Sequence, residues 1–150
     1  MAAEYLANAP QTVALNGPII FTASIPCRRG YIYHEDETGV FTLRGITSQC
    51  FATYRVTYNG NVAIPTGGAV TPVAVALAVS GEPRLTSRAI YTPAAVDEFG
   101  NLTSTAIIKV PRGCCFNLSV EYVQATDDPT ATPTPLITVQ NSNLVIDRIA

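Results

Sequence analysis

The spacing of turn residues limits what this chain folds into more than any other feature. Short runs rich in Val, Ile, Thr, Tyr and Phe recur from end to end, each cut off by Gly, Pro or Asn before a helix could take hold. Ten of these runs read as strands: TVAL (12–15), PIIFTASI (18–25), YIYH (31–34), VFTL (40–43), FATYRVTY (51–58), VAVALAVS (73–80), SRAIYT (87–92), TSTAIIKV (103–110), CFNLSVEYV (115–123) and NLVIDRI (143–149). The connections carry turn chemistry: Asn59-Gly60-Asn61 and Thr66-Gly67-Gly68 permit positive φ, and Ser80-Gly81-Glu82-Pro83 and Pro111-Arg112-Gly113 suit tight turns. Only TPAAVDEFG (92–100) has helix punctuation, with Thr92 as cap, Pro93 at the first position and Gly100 at the exit, and it is short enough to be a loop with one helical turn. The Pro/Thr-rich tract 125–135 reads as a long, extended, exposed loop. Frequent strands and turns without repeat or linker predict one all-β sandwich domain over 1–150, with residues 1–11 as an N-terminal extension or anchor segment.

Charge is scarce. Charged residues make up 13% of the 150 residues and apolar ones 47%, against about 25% charged in an ordinary soluble domain. So few charges cover a monomer poorly and point to an oligomer. The net charge is −2, Lys109 is the only lysine, and no basic stripe is visible, which argues against nucleic acid and membranes as partners. The start MAAEYLANAPQTVALNG lacks a secretory pattern, and no apolar run approaches the ~20 residues of a membrane span. The expected site of synthesis is a cytosol, where Cys27, Cys50, Cys114 and Cys115 stay largely reduced.

Those four cysteines are the first place to look for chemistry. Strand alternation sends adjacent Cys114 and Cys115 to opposite faces, Cys114 with Phe116, Leu118, Val120 and Tyr122, and Cys115 with Asn117, Ser119 and Glu121. Diverging thiols without metal-ligand spacing read as structural thiols, with Cys115 the more reactive, and a later Cys27–Cys50 bridge stays open. His34-Glu35-Asp36-Glu37 holds the only histidine and reads as the solvated tip of a hairpin rather than a cation loop or acid/base pair; Asp127-Asp128 reads as loop polarity. No nucleophile elbow or phosphate-cradling loop is present, and only His34 could serve as a base, so neither an enzyme nor a cofactor is expected. The sequons at Asn101 and Asn117 read as chance.

The order of an apolar strand, a Pro-Arg-Gly turn, an alternating strand and a last strand VQNSNLVIDRIA resembles the tail of the tumour-necrosis-factor and complement-C1q superfamily. VFTLRG, CFATYRVTYNGN and VAVALAVSGEP resemble its middle strands. The run LANAPQTVALNGPIIFT, FTLRG, VALAVSGEP, TPAAV, VPRGCCF and VQNSNLVIDRIA is similar to small proteins of gut Firmicutes and their prophages, and to the C-terminal domains of collagen-like spore-surface glycoproteins, although no Gly-X-Y stalk is present. The resemblance implies a ten-stranded TNF/C1q-like jelly-roll β-sandwich that forms a homotrimer. It also implies a non-enzymatic virion protein on the capsid surface, a decoration or head fibre assembled in the bacterial host cytoplasm against a major capsid protein or other virion protein. The other role it implies is a surface adhesin that binds a host glycan or protein through loops 35–39, 60–72 and 125–135.

Alternation supplies candidate trimer contacts. Ala74, Ala76, Ala78 and Ser80 form a small face open to a second layer, and 51–58 divides Phe51, Thr53, Arg55 and Thr57 from Ala52, Tyr54, Val56 and Tyr58, placing aromatics on both sides. A sheet apolar on both faces needs two covers. The expected interface set is therefore Phe51, Tyr54, Arg55, Tyr58, Ala76, Asp147 and Arg148, with Asp147–Arg148 as an intrachain pair in the competing reading.

Overall fold

A computed structural model of the protein describes residues 2–25 and 30–150. Its strands are β1 (Ala2–Ala7), β2 (Gln11–Ala14), β3 (Ala23–Ile25), β4 (Ile32–His34), β5 (Phe41–Arg44), β6 (Phe51–Ala63), β7 (Val73–Val79), β8 (Glu82–Pro83), β9 (Ala89–Tyr91), β10 (Gly100–Pro111), β11 (Cys115–Val123) and β12 (Leu136–Arg148), with one 3₁₀ turn at Leu85–Ser87. They form two six-stranded antiparallel sheets. Sheet A runs β10-β6-β12-β1-β3, with β2 on the first part of β12, and sheet B runs β4-β5-β11-β7-β8, with β9 also on β7.

The all-β expectation holds, and the differences from it have local causes. Residues 2–7 are no extension: β1 lies between β12 and β3, with Ala3, Tyr5 and Ala7 buried. Alanine carries little strand signal, so a strand held by neighbours and not by propensity escapes a composition-based reading. The run 18–25 also divides. After β2 the chain leaves sheet A at Asn16, whose φ is +64°, and runs beside β11 through Asn16 N–H to Tyr122 O (2.7 Å) and Ile19 N–H to Val120 O (2.8 Å). It then returns to sheet A as β3, so one continuous apolar run serves both layers. Gln11 secures the crossing by exchanging two hydrogen bonds with the Ile20 backbone, at 2.8 and 2.9 Å, as a neighbouring strand would.

Asn59-Gly60-Asn61 is not a turn, because β6 continues through it to Ala63. A Cβ on Gly60 would lie 2.1 Å from the Tyr58 hydroxyl, so glycine is there for clearance. The stretch 92–100 contains no helical turn: Asp97 adopts φ +59° and ties back through its N–H to Ile64 O (2.8 Å) and its carboxylate to the Thr66 hydroxyl. His34 is not at a solvated tip either. Its ring stacks on Phe41 with centroids 4.2 Å apart and meets the edge of Tyr5 at 4.9 Å, while Glu35–Glu37 form the exposed turn.

The core lies between the sheets. Tyr54, Tyr58, Tyr122, Phe21 and Phe41 are its largest members, packed with the inward Val, Leu and Ile residues of β6, β7, β11 and β12. These three phenols each have an acceptor or partner: Tyr54 donates to Arg44 O, Tyr122 to Thr134 O (2.6 Å), and Tyr58 meets the Ser142 hydroxyl at 3.0 Å. Desolvation pushes the Tyr58 and Tyr122 hydroxyls up to about 12.

Candidate functional site: the outer face of sheet A

Register fixes what this face presents. Outward side chains line up as Leu6, Asn143, Asn59 and Thr103 on one rung; Glu4, Val145, Thr57 and Thr105 on the next; then Ala2, Asp147, Arg55 and Ile107. Thr53 pairs with Lys109 and Phe51 with Pro111 beyond them. The upper half of the face is a neutral amide and hydroxyl network. Asn8 accepts from Asn141 (2.7 Å), Asn141 from Asn61 (3.5 Å), Asn61 and Asn59 from Asn101 (3.3 and 2.7 Å), and Asn59 from Thr103 (3.1 Å). Asn141 sits at the β12 bulge between Gln140 and Asn143 with φ +54°, a conformation asparagine tolerates, and the bulge aims its amide along the network.

The lower half is mixed. Arg55 and Asp147 pair at 2.8 Å, flanked by half-exposed Phe51, Ile107 and Ile149, with the Lys109 ammonium 6.0 Å from the Phe51 ring centre. The expected greasy outer flank is therefore not what the sheet shows. β6 presents Phe51, Thr53, Arg55, Thr57, Asn59 and Asn61 outward, one aromatic among polar groups.

The seven expected interface residues do not share a surface. Phe51, Arg55 and Asp147 lie on this face. Tyr54 and Tyr58 point the other way and are wholly buried in the core, because their hydroxyls find acceptors or partners there. Arg148 also turns inward, its guanidinium 4.1 Å from the Tyr31 ring centre, so it does not pair with neighbouring Asp147. Ala76 belongs to the other sheet. Arg88, just before β9 on one side of β7, bonds to Gln124 O (3.3 Å) and Asp127 (3.1 Å) past the end of β11 on the other side, and Ala74 and Ala76 of the intervening β7 are wholly buried. Sequence reasoning missed the amide network and Ile107; the signal for the network was asparagine recurring at every second position of 59–61 and 141–143.

Cys50 and Cys115 are exposed free thiols, Cys114 is half-buried against the core, and Cys27 lies outside the described residues. No cluster of three or more His, Cys, Asp or Glu with metal-binding geometry occurs among the described residues. Of the three recognition loops expected, 60–72 and 125–135, which the structure bounds at 64–72 and 124–135, meet at one end through Thr134 N–H to Thr71 Oγ1 (3.2 Å) and line a cavity of about 180 Å³. Loop 35–39 lies apart from them, against Phe21.

No protein-family model matches the chain, and no curated protein matches it. Solved structures do. The globular domain of zebrafish complement 1qA matches with a TM-score of 0.58 at 13% identity, over 96% of this chain and 94% of that one. The Eiger TNF structure from S. frugiperda matches with a TM-score of 0.65 at 14% identity, over 100% and 92%. Murine APRIL, solved at pH 5.0, matches with a TM-score of 0.60 at 8% identity, over 99% and 98%. The fold is the jelly roll of C1q and tumour-necrosis-factor domains.

Proposed function

We propose that the chain is a non-enzymatic structural module that acts as a homotrimer, with the outer face of sheet A as the contact between subunits. What supports this is the state of the polar groups on that face. Asparagine and threonine side chains bond to one another, and Arg55 bonds to Asp147, so a neighbour that covers them strands few donors or acceptors. Phe51, Ile107 and Ile149 beside them supply apolar area whose burial favours association. The scarcity of charge points the same way.

The role proposed for that trimer is a bacteriophage capsid decoration or head fibre seated on a major capsid protein or other virion protein. Its support is the sequence resemblance to prophage-encoded proteins. Native mass spectrometry of the isolated protein together with peptide mapping of purified particles tests it: a trimer present on particles is expected, and a monomer absent from particles overturns it. Phe51→Asp should shift the mass toward one subunit while the circular dichroism stays that of a sheet protein. The cavity between loops 64–72 and 124–135 favours a second reading, an adhesin that takes a glycan at that end. A glycan array that retains the wild type but not a Thr71→Trp variant would support it.

A further inference from the structure

The fold sorts charges that look scattered along the sequence. Nine residues are Lys or Arg, and Arg28 and Arg29 lie outside the described residues, which leaves seven. Six of those seven gather at or near the end where β5 and β10 finish and β6 and β11 begin, Arg84 among them through its bond to Ile107 O (2.8 Å). Arg44 pairs in register with Cys115, Lys109 with Thr53, Arg55 with Ile107, Arg148 with Tyr54, and Arg112 occupies the β10–β11 turn. The carboxylates at that end are Asp147, bound to Arg55, and Glu82, in register with Val79. Arg44, Lys109 and Arg112 are exposed and have no ion pair among the described residues. The opposite end carries Asp97, Glu98, Asp127 and Asp128, with Arg88 as its counter-charge. A net charge of only −2 thus conceals a polar molecule with a basic end and an acidic end.

We infer that the basic end is a docking surface for a carboxylate-rich protein. Arginine predominates there, and its planar fork suits carboxylates held in pairs. Half-exposed Ile46, Phe51 and Ile149 lie among the cations, a mixture suited to a protein partner; a polyanion backbone gains nothing from such apolar neighbours. Asp147 also holds Arg55 in place, so the surface is partly ordered before a partner arrives. The surface borders the trimer contact proposed above and shares Phe51, Arg55 and Ile149 with it, but Arg44, on sheet B, and Arg112, in the β10–β11 turn, lie outside that contact and are left free by it.

The 150-residue chain on a biosensor, presented with poly-L-glutamate, polyphosphate and duplex DNA, tests the inference. Poly-L-glutamate should bind, and binding should weaken about tenfold or more as salt shortens the Debye length from ~30 Å to ~10 Å. The double variant Arg44→Glu/Arg112→Glu should lose at least about tenfold of that affinity with its native mass unchanged, and Arg88→Glu at the other end should not. If charge reversal prevents folding, Arg44→Gln/Arg112→Gln replaces it with the same expected direction. Absence of poly-L-glutamate binding, binding indifferent to these substitutions, or tighter binding to polyphosphate or DNA overturns the proposal. A monomeric wild type that still shows the Arg44/Arg112 dependence would overturn the trimer and leave this surface standing.

Discussion

The Tyr58 hydroxyl lies 3.0 Å from the Ser142 hydroxyl, in space kept open by the missing side chain of Gly60. Both groups are buried, so each is the other's replacement for water. Tyr58→Phe should leave the Ser142 hydroxyl unpaired and cost about 1–3 kcal/mol. Gly60→Ala places a methyl against a ring that cannot withdraw through the core, with an expected cost of about 1–3 kcal/mol or more. Because the two changes act on one contact, the Gly60→Ala penalty should shrink in the Tyr58→Phe background. Urea unfolding of the four proteins measures that coupling.

Alkali should undermine the core through the same phenol. Tyr58 and Tyr122 titrate at about 12 in the folded protein, above the ordinary value of 10.0. Between those values the unfolded chain has released protons that the native state retains, so stability falls as pH rises. The contribution is complete below pH 10 and disappears toward pH 12, with a slope of about 1.4 kcal/mol per pH unit for each tyrosine. Urea midpoints taken from pH 9 to pH 11.5 should fall along this slope. They should fall about half as steeply in Tyr58→Phe, and a flat profile would remove the basis for burial as the cause.

On the outside of sheet B, Arg88 contributes more as a stem than as a charge. Its side chain is 16% exposed, whereas Asp127, its partner, is 75% exposed, so solvent screens the pair, while the stem runs from one side of β7 to the other, where Ala74 and Ala76 are wholly buried. Asp127→Ala should therefore change stability by under about 0.5 kcal/mol. Arg88→Ala should cost about 1–2 kcal/mol by uncovering the alanines, and Arg88→Met should recover most of it. Thermal melts of the three variants rank them.

Alternation divided β6 correctly into Phe51, Thr53, Arg55, Thr57 and Ala52, Tyr54, Val56, Tyr58, and it separated Cys114 from Cys115. It could not say which side of β6 faced the core. That choice rests on acceptors and partners remote in sequence, Arg44 O for Tyr54 and Ser142 for Tyr58. The small face of β7 was equally visible, but not that Arg88, just before β9, would reach past this strand to Gln124 O. Gly60 looked like a turn because glycine gives the same local signal whether it bends the chain or makes room. The basic end was invisible for a related reason: Arg44, Arg55, Lys109, Arg112 and Arg148 are brought together only by strand register.

Register also makes the Arg55–Asp147 pair a reporter of what covers sheet A. In one chain the two side chains are 57% and 24% exposed, and a pair so hydrated is worth about 0.2–1 kcal/mol. A neighbouring subunit over this face would exclude water from the pair, and removing one member would then cost the other its bonded counter-charge in a dry environment, about 3–5 kcal/mol. A double-mutant cycle with Arg55→Ala and Asp147→Ala, run across protein concentration, separates the two situations. Coupling should be several-fold larger at concentrations where native mass shows a trimer than at dilutions where it shows single chains. Equal, small coupling at both extremes would mean that this face stays wet, and would move any subunit contact elsewhere on the sandwich.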